Sequence, residues 1–336
     1  MVRVAVAGGS GNVASEVIDK ILHRKKHEVT VLTQKPPPSP PVDQRGVRWL
    51  QVDYSDKYSL ADVLRGIDVV LCFFSGSNPY GVVRNQKNLI DASIQAGVKR
   101  FAPSEWACRD NRSIPHYAFK NEIREYLDEA NSGRIVSAAP YRISWIPLLT
   151  GSNKRLEYTL FQPGLLTNYF GYPYSTSVHL SMTPWFVDLE NRRAIIVGDG
   201  NYPLSLTTVQ DLGEVVATAL DHKGTWPIDG GCRGTQMTVA ELIELGRKLR
   251  GSMTVESVSM EDLRVGKLKT TWFPLLNHPG VPEEYKEIVS RNVMISFVRS
   301  AAERSWSVSD EWNRLLPHYR FTAAEDYLRE VWEGKP

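Results

Sequence analysis

The stretch "GGSGNVA" at Gly8–Ala14 puts three glycines within four positions, directly after an apolar run and directly before residues of helical composition. A glycine turn between a strand and a helix can cradle a phosphate group. Gly8 permits a sharp turn, and Gly11 lets backbone N–H groups approach a pyrophosphate. The helix start adds unpaired amides and the positive end of its dipole. Ser10, Asn12 and Val13 complete the turn. Ala14 is small enough for the helix to close on the strand, where many such turns carry a further glycine. The competing reading is a tight turn that binds nothing, and only the order strand, turn, helix separates the two.

The next question is which nucleotide such a turn would hold. Sites for an unphosphorylated ribose place Asp or Glu at the end of the second strand. Here "HEVTVLTQK" ends in Thr33, Gln34 and Lys35, with no acid. Lys35 can face a 2′-phosphate, with Arg45 assisting from across the Pro-rich loop "PPPSPP", or it is an ordinary solvated lysine. The missing carboxylate favours NADP(H) over NAD(H). Asp53 ends the third strand and is placed to reach an adenine. Ser75 and Gly76 end the fourth strand, where a dinucleotide would cross the sheet.

These residues need elements to hold them. The first half alternates strand and helix patterns: "VRVAVAG", then "ASEVIDKILHRKK", "HEVTVLTQ", "VRWLQVD", "SLADVLRGI", "DVVLCFFSG", "VRNQKNLIDASIQAG" closed by Gly97, and "KRFAPSEW". The fourth strand is apolar enough to be buried on both faces. This alternation predicts an α/β fold with a Rossmann-type doubly wound parallel sheet. A helix "HYAFKNEIREYLDEA" and a sixth strand "LEYTLFQPG" follow. "RAIIVGDG" and "YPLSL" read as a strand pair, leading to a helix capped near Thr208. Thr238 and Glu241 form a capping box at the start of another helix. From Gly251 onward the chain reads as mainly helical. The expected division is a dinucleotide-binding domain over 1–170 and a smaller, mainly helical substrate-binding part over 171–336, with 194–220 lending elements to the sheet domain.

Composition narrows the partners. The 336 residues carry 40 basic and 38 acidic side chains for a net charge of +2, with no basic face for a nucleic acid. The cluster "HRKKH" reads as a solvated helix end. Three cysteines, far apart and without a CxxC pair, support neither zinc nor a disulfide framework and fit a reducing compartment. No metal is expected. The run from Val2 to Ala7 is too short for a signal peptide and contains Arg3, and no apolar stretch reaches membrane length. A soluble cytoplasmic protein is expected, with a small molecule as partner.

Five stretches, "GGSGNVA", "AGVKRFAPSEW", "FK" with "IREYL" behind it, "LEYTLFQPGLLTNYF" and "TTVQDLGEVVATAL", follow one another in an order that resembles the NmrA-like and isoflavone reductase-like group of atypical short-chain dehydrogenases. The resemblance runs along most of the chain. It implies NADPH on the glycine turn and a substrate cleft between the carboxyl edge of the sheet and the C-terminal part. It also implies a catalytic and cofactor-binding role for Lys120, which occupies the position of a lysine in the family's reductases; the residues by themselves equally allow a solvated helix lysine paired with its Glu122 or Arg124 neighbours. Hydride delivery to an electron-poor carbon leaves negative charge behind, and an ammonium in a partly dry cleft stabilises that charge and can donate a proton.

Tyr117 lies three residues before Lys120, not the four of ordinary short-chain dehydrogenases, so their tyrosine–lysine mechanism is not supported. His116, four before Lys120, either lines the cleft or is exposed in the first turn. Pro163 and Gly164 should pass near the nicotinamide. Tyr169, Phe170, Tyr172 and Tyr174 suit a flat aromatic substrate, or pack a loop on the core. One segment departs from the family: residues 131–155 intervene between the lysine helix and the following strand, either as an extra loop or lid or as translated non-coding sequence.

The leading expectation is an NADPH-dependent reductase of a conjugated or aromatic small molecule in secondary metabolism. The alternative is a non-catalytic regulatory protein of the NmrA type that senses NADP(H). A protein with a vestigial cofactor, or one supporting an isomerisation, ranks last.

Overall fold

The opening apolar run forms β1 (Arg3–Ala7), in which Val4 through Ala7 are completely buried. In a computed structural model of the chain, residues 1–76, 78–132, 156–277 and 281–335 are described. The expected insertion lies, from residue 133 to 155, outside the described residues.

β1 is flanked by β2 (Glu28–Thr33) and β3 (Arg48–Gln51) on one side and by β4 (Val69–Cys72), β5 (Arg100–Ala102) and β6 (Glu157–Tyr158) on the other. The six strands make one parallel sheet in the order β3-β2-β1-β4-β5-β6. This is the doubly wound order, and its reversal between β1 and β4 opens a crevice at the carboxyl ends of those two strands. β4 is buried at every position, as its continuous apolar run requires.

Two helical layers cover the sheet. On one side α1 (Asn12–His23) presents Val17, Ile18 and Ile21 to Val4, Val6 and Val31. The other side carries α2 (Lys57–Val63), α3 (Pro79–Ala96) and α4 (Ala118–Ser132), whose Leu60, Leu89, Ile90, Ile123 and Leu127 pack with Val70, Cys72 and Phe101. α5 (Val209–Asp221) returns to lie beside α1, bringing Leu212, Val215 and Val216 into the first layer. Its N-cap is Thr208, whose hydroxyl accepts from the Asp211 N–H at 3.0 Å.

The rest of the chain departs from the expected strand pattern. Short strands β7 (Leu160–Gln162), β8 (Leu165–Leu166), β9 (Val187–Asp188), β10 (Arg193–Val197), β11 (Pro203–Thr207), β12 (Asp229–Gly231), β13 (Thr235–Thr238) and β14 (Thr254–Val258) form three small sheets. The expected sixth strand is therefore split, with Glu157–Tyr158 in the main sheet and Leu160–Gln162 paired with β12. The expected pair "RAIIV" and "YPLSL" does not form. Gly198 and Gly200, at φ +60° and +75°, bend the chain between them, so β10 joins β9 and β14 while β11 joins β8 and β13. Of the segment 194–220, α5 is the part that lies against α1. β14 also adds a strand to the part expected to be mainly helical.

Helices α6 (Val239–Arg250), α7 (Met260–Arg264), α8 (Lys286–Ala302), α9 (Glu311–Leu315) and α10 (Ala324–Trp332) complete the fold. The capping box at α6 is formed, with Thr238 and Glu241 satisfying each other's backbone N–H groups at 2.7 and 3.1 Å. Among the described residues no helix is long and apolar enough to cross a membrane.

Candidate active site

At the crevice, β1 runs into the glycine turn. Gly8 has φ +75°, and a Cβ there would come within 2.8 Å of the Phe73 carbonyl oxygen. Only glycine permits β1 and the end of β4 to approach this closely. The Gly11 N–H closes the turn on the Gly8 carbonyl at 3.0 Å. Gly11 is the N-cap of α1 and supplies no capping side chain. The helix start therefore keeps its anion-binding capacity for something other than its own sequence. Ser10, Gly11 and Asn12 are exposed, and Val13 is half-buried. Asn12 donates to Ser181 Oγ at 2.6 Å.

Lys35 stands exposed just beyond β2, and its ammonium has no ion pair among the described residues. Arg45 does not assist it. Its guanidinium is held by Asp19 at 2.7 Å and Asp43 at 2.9 Å, so the anticipated reach across the Pro-rich loop is replaced by a surface ion-pair network. Asp53 is exposed in the turn after β3, where it accepts from the Ser55 hydroxyl at 2.7 Å and the Ser55 N–H at 2.8 Å. Those bonds hold its carboxyl below the usual range. Ser75 and Gly76 are exposed between β4 and α3.

Lys120, in the first turn of α4, is buried. Its ammonium donates to the Ser104 carbonyl at 3.1 Å and to the Glu105 carbonyl, and lies 4.4 Å from the centre of the Tyr117 ring. Burial pushes its pKa down, against an opposing pull from the Glu105 carboxylate.

The two carbonyls belong to the turn after β5, which is tied on several sides. Gln86 accepts from the Ser104 N–H at 2.7 Å, and Ser104 Oγ donates to the Phe74 carbonyl at 2.6 Å. Trp106 has φ +47°, stacks on Phe73 at 4.1 Å, and donates through Nε1 to the Cys72 carbonyl at 2.7 Å. A large residue in the left-handed region persists only where its surroundings over-determine it. Arg124 grips the buried Glu105 carboxylate at 2.9 and 2.5 Å. Gln86, Glu105, Trp106 and Arg124 are not among the residues the sequence singles out. The one signal for Arg124 is its spacing, four residues after Lys120 on the same helix face.

A model of the NmrA-like family matches residues 2–328. The chain belongs to the NmrA-like family. Oxidoreductase swnN of Metarhizium robertsii is 26% identical over 346 residues, spanning 100% of this chain and 98% of that protein. The isoflavone reductase of Glycine max is 24% identical over 242 residues, spanning 69% of this chain and 67% of its own length. Among solved structures, the complex of leucoanthocyanidin reductase with NADPH from Vitis vinifera shares the fold at a TM-score of 0.67, with 18% identity over 98% of this chain and 99% of that one.

In this NmrA-like chain the remaining candidate residues divide into exposed or half-buried positions and core. His116 is exposed before the first turn of α4, the second of the two expectations for it, while its ring meets Tyr117 and Phe297 at 4.6 and 5.6 Å. Desolvation first, and then the Lys120 charge, push its pKa down to about 4. Tyr169 is half-buried against Trp185 at 5.3 Å, and burial raises its phenol to about 12.

Phe170 is fully buried, with its carbonyl accepting from Trp332 Nε1 at 3.1 Å, so the packing alternative applies to it. Tyr174 likewise packs on Trp332 at 5.3 Å, and Tyr172 is half-buried. Pro163 and Gly164 are buried in the wall between the sheet and the small sheets. Thr207 Oγ1 donates to the Pro163 carbonyl at 2.7 Å, and Gly164, at φ +71°, lies too close to Ser205 for any side chain.

Among the described residues no group of three or more His, Cys, Asp or Glu side chains could hold a metal ion. A cavity of about 1110 Å³ opens at the other end of the sheet, lined by residues such as Asp68, Lys99, Glu157 and Trp226. It is remote from the glycine turn and from Lys120.

Proposed function

We propose that the protein is an NADPH-dependent reductase acting on a conjugated or aromatic small molecule, with Lys120 as proton donor and electrostatic stabiliser. The observation that carries this reading is a buried lysine, held by carbonyl oxygens, at the sheet edge that also bears an uncapped glycine turn. The turn fits a dinucleotide, because the close approach at Gly8 and the side-chain-free N-cap leave backbone amides for a pyrophosphate. Bound there, NADPH would supply a hydride from the nicotinamide C4.

Gly8, Ser10, Gly11, Asn12 and Val13 hold the pyrophosphate in this reading. Lys35 meets the 2′-phosphate and Asp53 lies on the adenine side. Ser75, Gly76, Pro163 and Gly164 flank the nicotinamide end, and His116 and Tyr169 line the substrate side. Lys120 gives its proton to the atom that receives negative charge and is reprotonated from water, so hydride and proton together reduce the substrate by two electrons. A lysine depressed by burial is a better acid at neutral pH than a free one, and a positioned proton donor contributes about 10²–10⁴ in rate. The relatives named as an isoflavone reductase and a leucoanthocyanidin reductase support an aromatic substrate and a role in secondary metabolism. A cytoplasmic setting is part of the same reading.

Calorimetric titration of the purified protein with NADPH, NADP⁺ and NADH tests it first. Tight NADPH binding with weak NADH binding is expected, followed by NADPH oxidation in a screen of phenolic and enone substrates. Preference for NADP⁺ over NADPH, with no turnover, would favour a redox sensor instead. Binding of none of the three would end the reading.

A further inference from the structure

Lys120 and Arg124 stand one turn apart on the same face of α4, and one buried residue, Glu105, serves both cations. The way it is shared is specific. Arg124 takes both carboxylate oxygens in a two-pronged grip, at 2.9 and 2.5 Å, and anchors itself further by donating to the Arg109 carbonyl at 2.8 Å. Lys120 receives only the backbone carbonyl of the same residue, together with that of Ser104. It makes no ion pair with the Glu105 carboxylate among the described residues.

We propose that Glu105 and Arg124 act through Lys120 as a positioning pair: Arg124 holds the carboxylate away from the ammonium, so that Lys120 is bound by carbonyl dipoles and yields its proton readily. This rests on the role proposed above for Lys120. A planar guanidinium matches a carboxylate with two parallel bonds, which a second lysine could not do. The grip also fixes the Glu105 main chain, and with it one of the two carbonyls that place the ammonium.

The charged surroundings of Lys120 are few. Cys72 comes from β4, Glu105 and Cys108 from the turn after β5, His116 and Tyr117 from the segment before α4, and Arg124 from α4 itself. Burial raises both thiols and the Tyr117 phenol, and lowers His116, so all four are uncharged near neutral pH. Asp110, which faces Arg124, is engaged by Arg112. Among the described residues that leaves Glu105 and Arg124 as the two formal charges acting on Lys120, with opposite signs.

The pair therefore makes an expectation that a merely structural role does not. Removing a nearby anion disfavours the ammonium, and freeing that anion favours it, each by about one pK unit or more for a charge at this range. In the full-length protein, isotope-labelled lysine side chains are followed by NMR against pH, with the Lys120 signal assigned by its loss in Lys120→Arg. Glu105→Gln is expected to lower the Lys120 midpoint, Arg124→Gln to raise it, and the double variant to return it toward the wild-type value. NADPH binding and far-UV circular dichroism check that each variant is folded.

If a neutral variant does not fold, the conservative ones report instead. Glu105→Asp keeps the charge and leaves the midpoint near wild type, whereas Arg124→Lys frees a carboxylate oxygen and raises it. Midpoints that stay put, or move the same way in both neutral variants, overturn the proposal. The outcome is separable from the reductase reading, because the titration needs no substrate. Opposed shifts alongside an active Lys120→Met protein would keep the pair and remove Lys120 from the chemistry. Unmoved midpoints with an inactive Lys120→Met protein would do the reverse.

Discussion

The glycine turn and the lysine cradle meet at one sheet edge and are built on opposite plans. In the turn, side chains are excluded: Gly8 admits no Cβ, Gly11 supplies no cap, and Ser10, Gly11 and Asn12 lie exposed at the start of α1. In the cradle, side chains do almost everything. Lys120, Arg124 and Gln86 converge on Ser104 and Glu105, and Trp106 beside them ties the same turn to the Cys72 carbonyl. The turn thus leaves backbone amides to be satisfied by an anion. The cradle pre-organises a charge that needs no ligand to hold it. One region is sensitive to added atoms and the other to altered charge.

That contrast can be broken by substitution. The largest effect is expected from Lys120→Met, which keeps the bulk of the side chain and removes its charge. Turnover should fall by roughly 10²–10⁴, while NADPH affinity measured by calorimetry stays close to wild type. An equal loss of affinity would mean that the lysine belongs to the cofactor site, and the two plans would merge. Gly8→Ala should behave in the reverse manner. The strained backbone at φ +75° is expected to destabilise the fold by about 1–3 kcal/mol. The added methyl also moves the turn, so NADPH binding is lost together with turnover. Thermal melts and titration of this one variant read both consequences, and wild-type binding would show that the turn is not the cradle.

How far each region was legible follows from the same contrast. A glycine turn is a local device, so its residues are adjacent in sequence and its strand and helix flank it directly. The caps at Thr208 and Thr238, also local, are where composition puts them. Lys120 was located by family resemblance, and its helix by composition, but the turn that receives it and the groups that tie that turn come from three other elements. Gln86 lies in α3, Ser104 and Glu105 follow β5, and Phe74 follows β4. No spacing rule connects them. Arg45 shows the converse, since a basic residue near Lys35 in sequence is spent on Asp19 and Asp43. The small sheets were illegible for a related reason. β10 and β11 are near neighbours in the chain, and only the bends at Gly198 and Gly200 send them to different partners.

A smaller effect is expected at the outer end of the cofactor site. Lys35 is exposed, so its contact with a 2′-phosphate is screened by water and salt. Lys35→Ala should weaken NADPH binding by about 1 kcal/mol, roughly fivefold, and leave NADH binding unchanged. Raising the salt concentration should shrink the difference between wild type and variant. A loss that is equal for both nucleotides would move the 2′-phosphate elsewhere and detach Lys35 from the turn's side of the comparison.

The smallest effect tests the rim of the cradle, where His116 is desolvated on one side and faces Lys120. Its pKa lies near 4 in the folded protein against 6.5 when unperturbed, so between those values the unfolded chain binds more protons than the native one. Stability from this group is therefore complete above pH 6.5 and is lost as pH falls toward 4. Partial exposure discounts the effect to on the order of 1 kcal/mol or less. Denaturant melts of wild type and His116→Gln at pH 7 and pH 5 isolate it, because the other titrating groups are common to both proteins. The stability of wild type relative to the variant should decrease between the two conditions. A gap that does not change with pH would mean the ring is as well solvated as a free histidine. The cradle would then end at Tyr117, whose ring lies against the Lys120 ammonium.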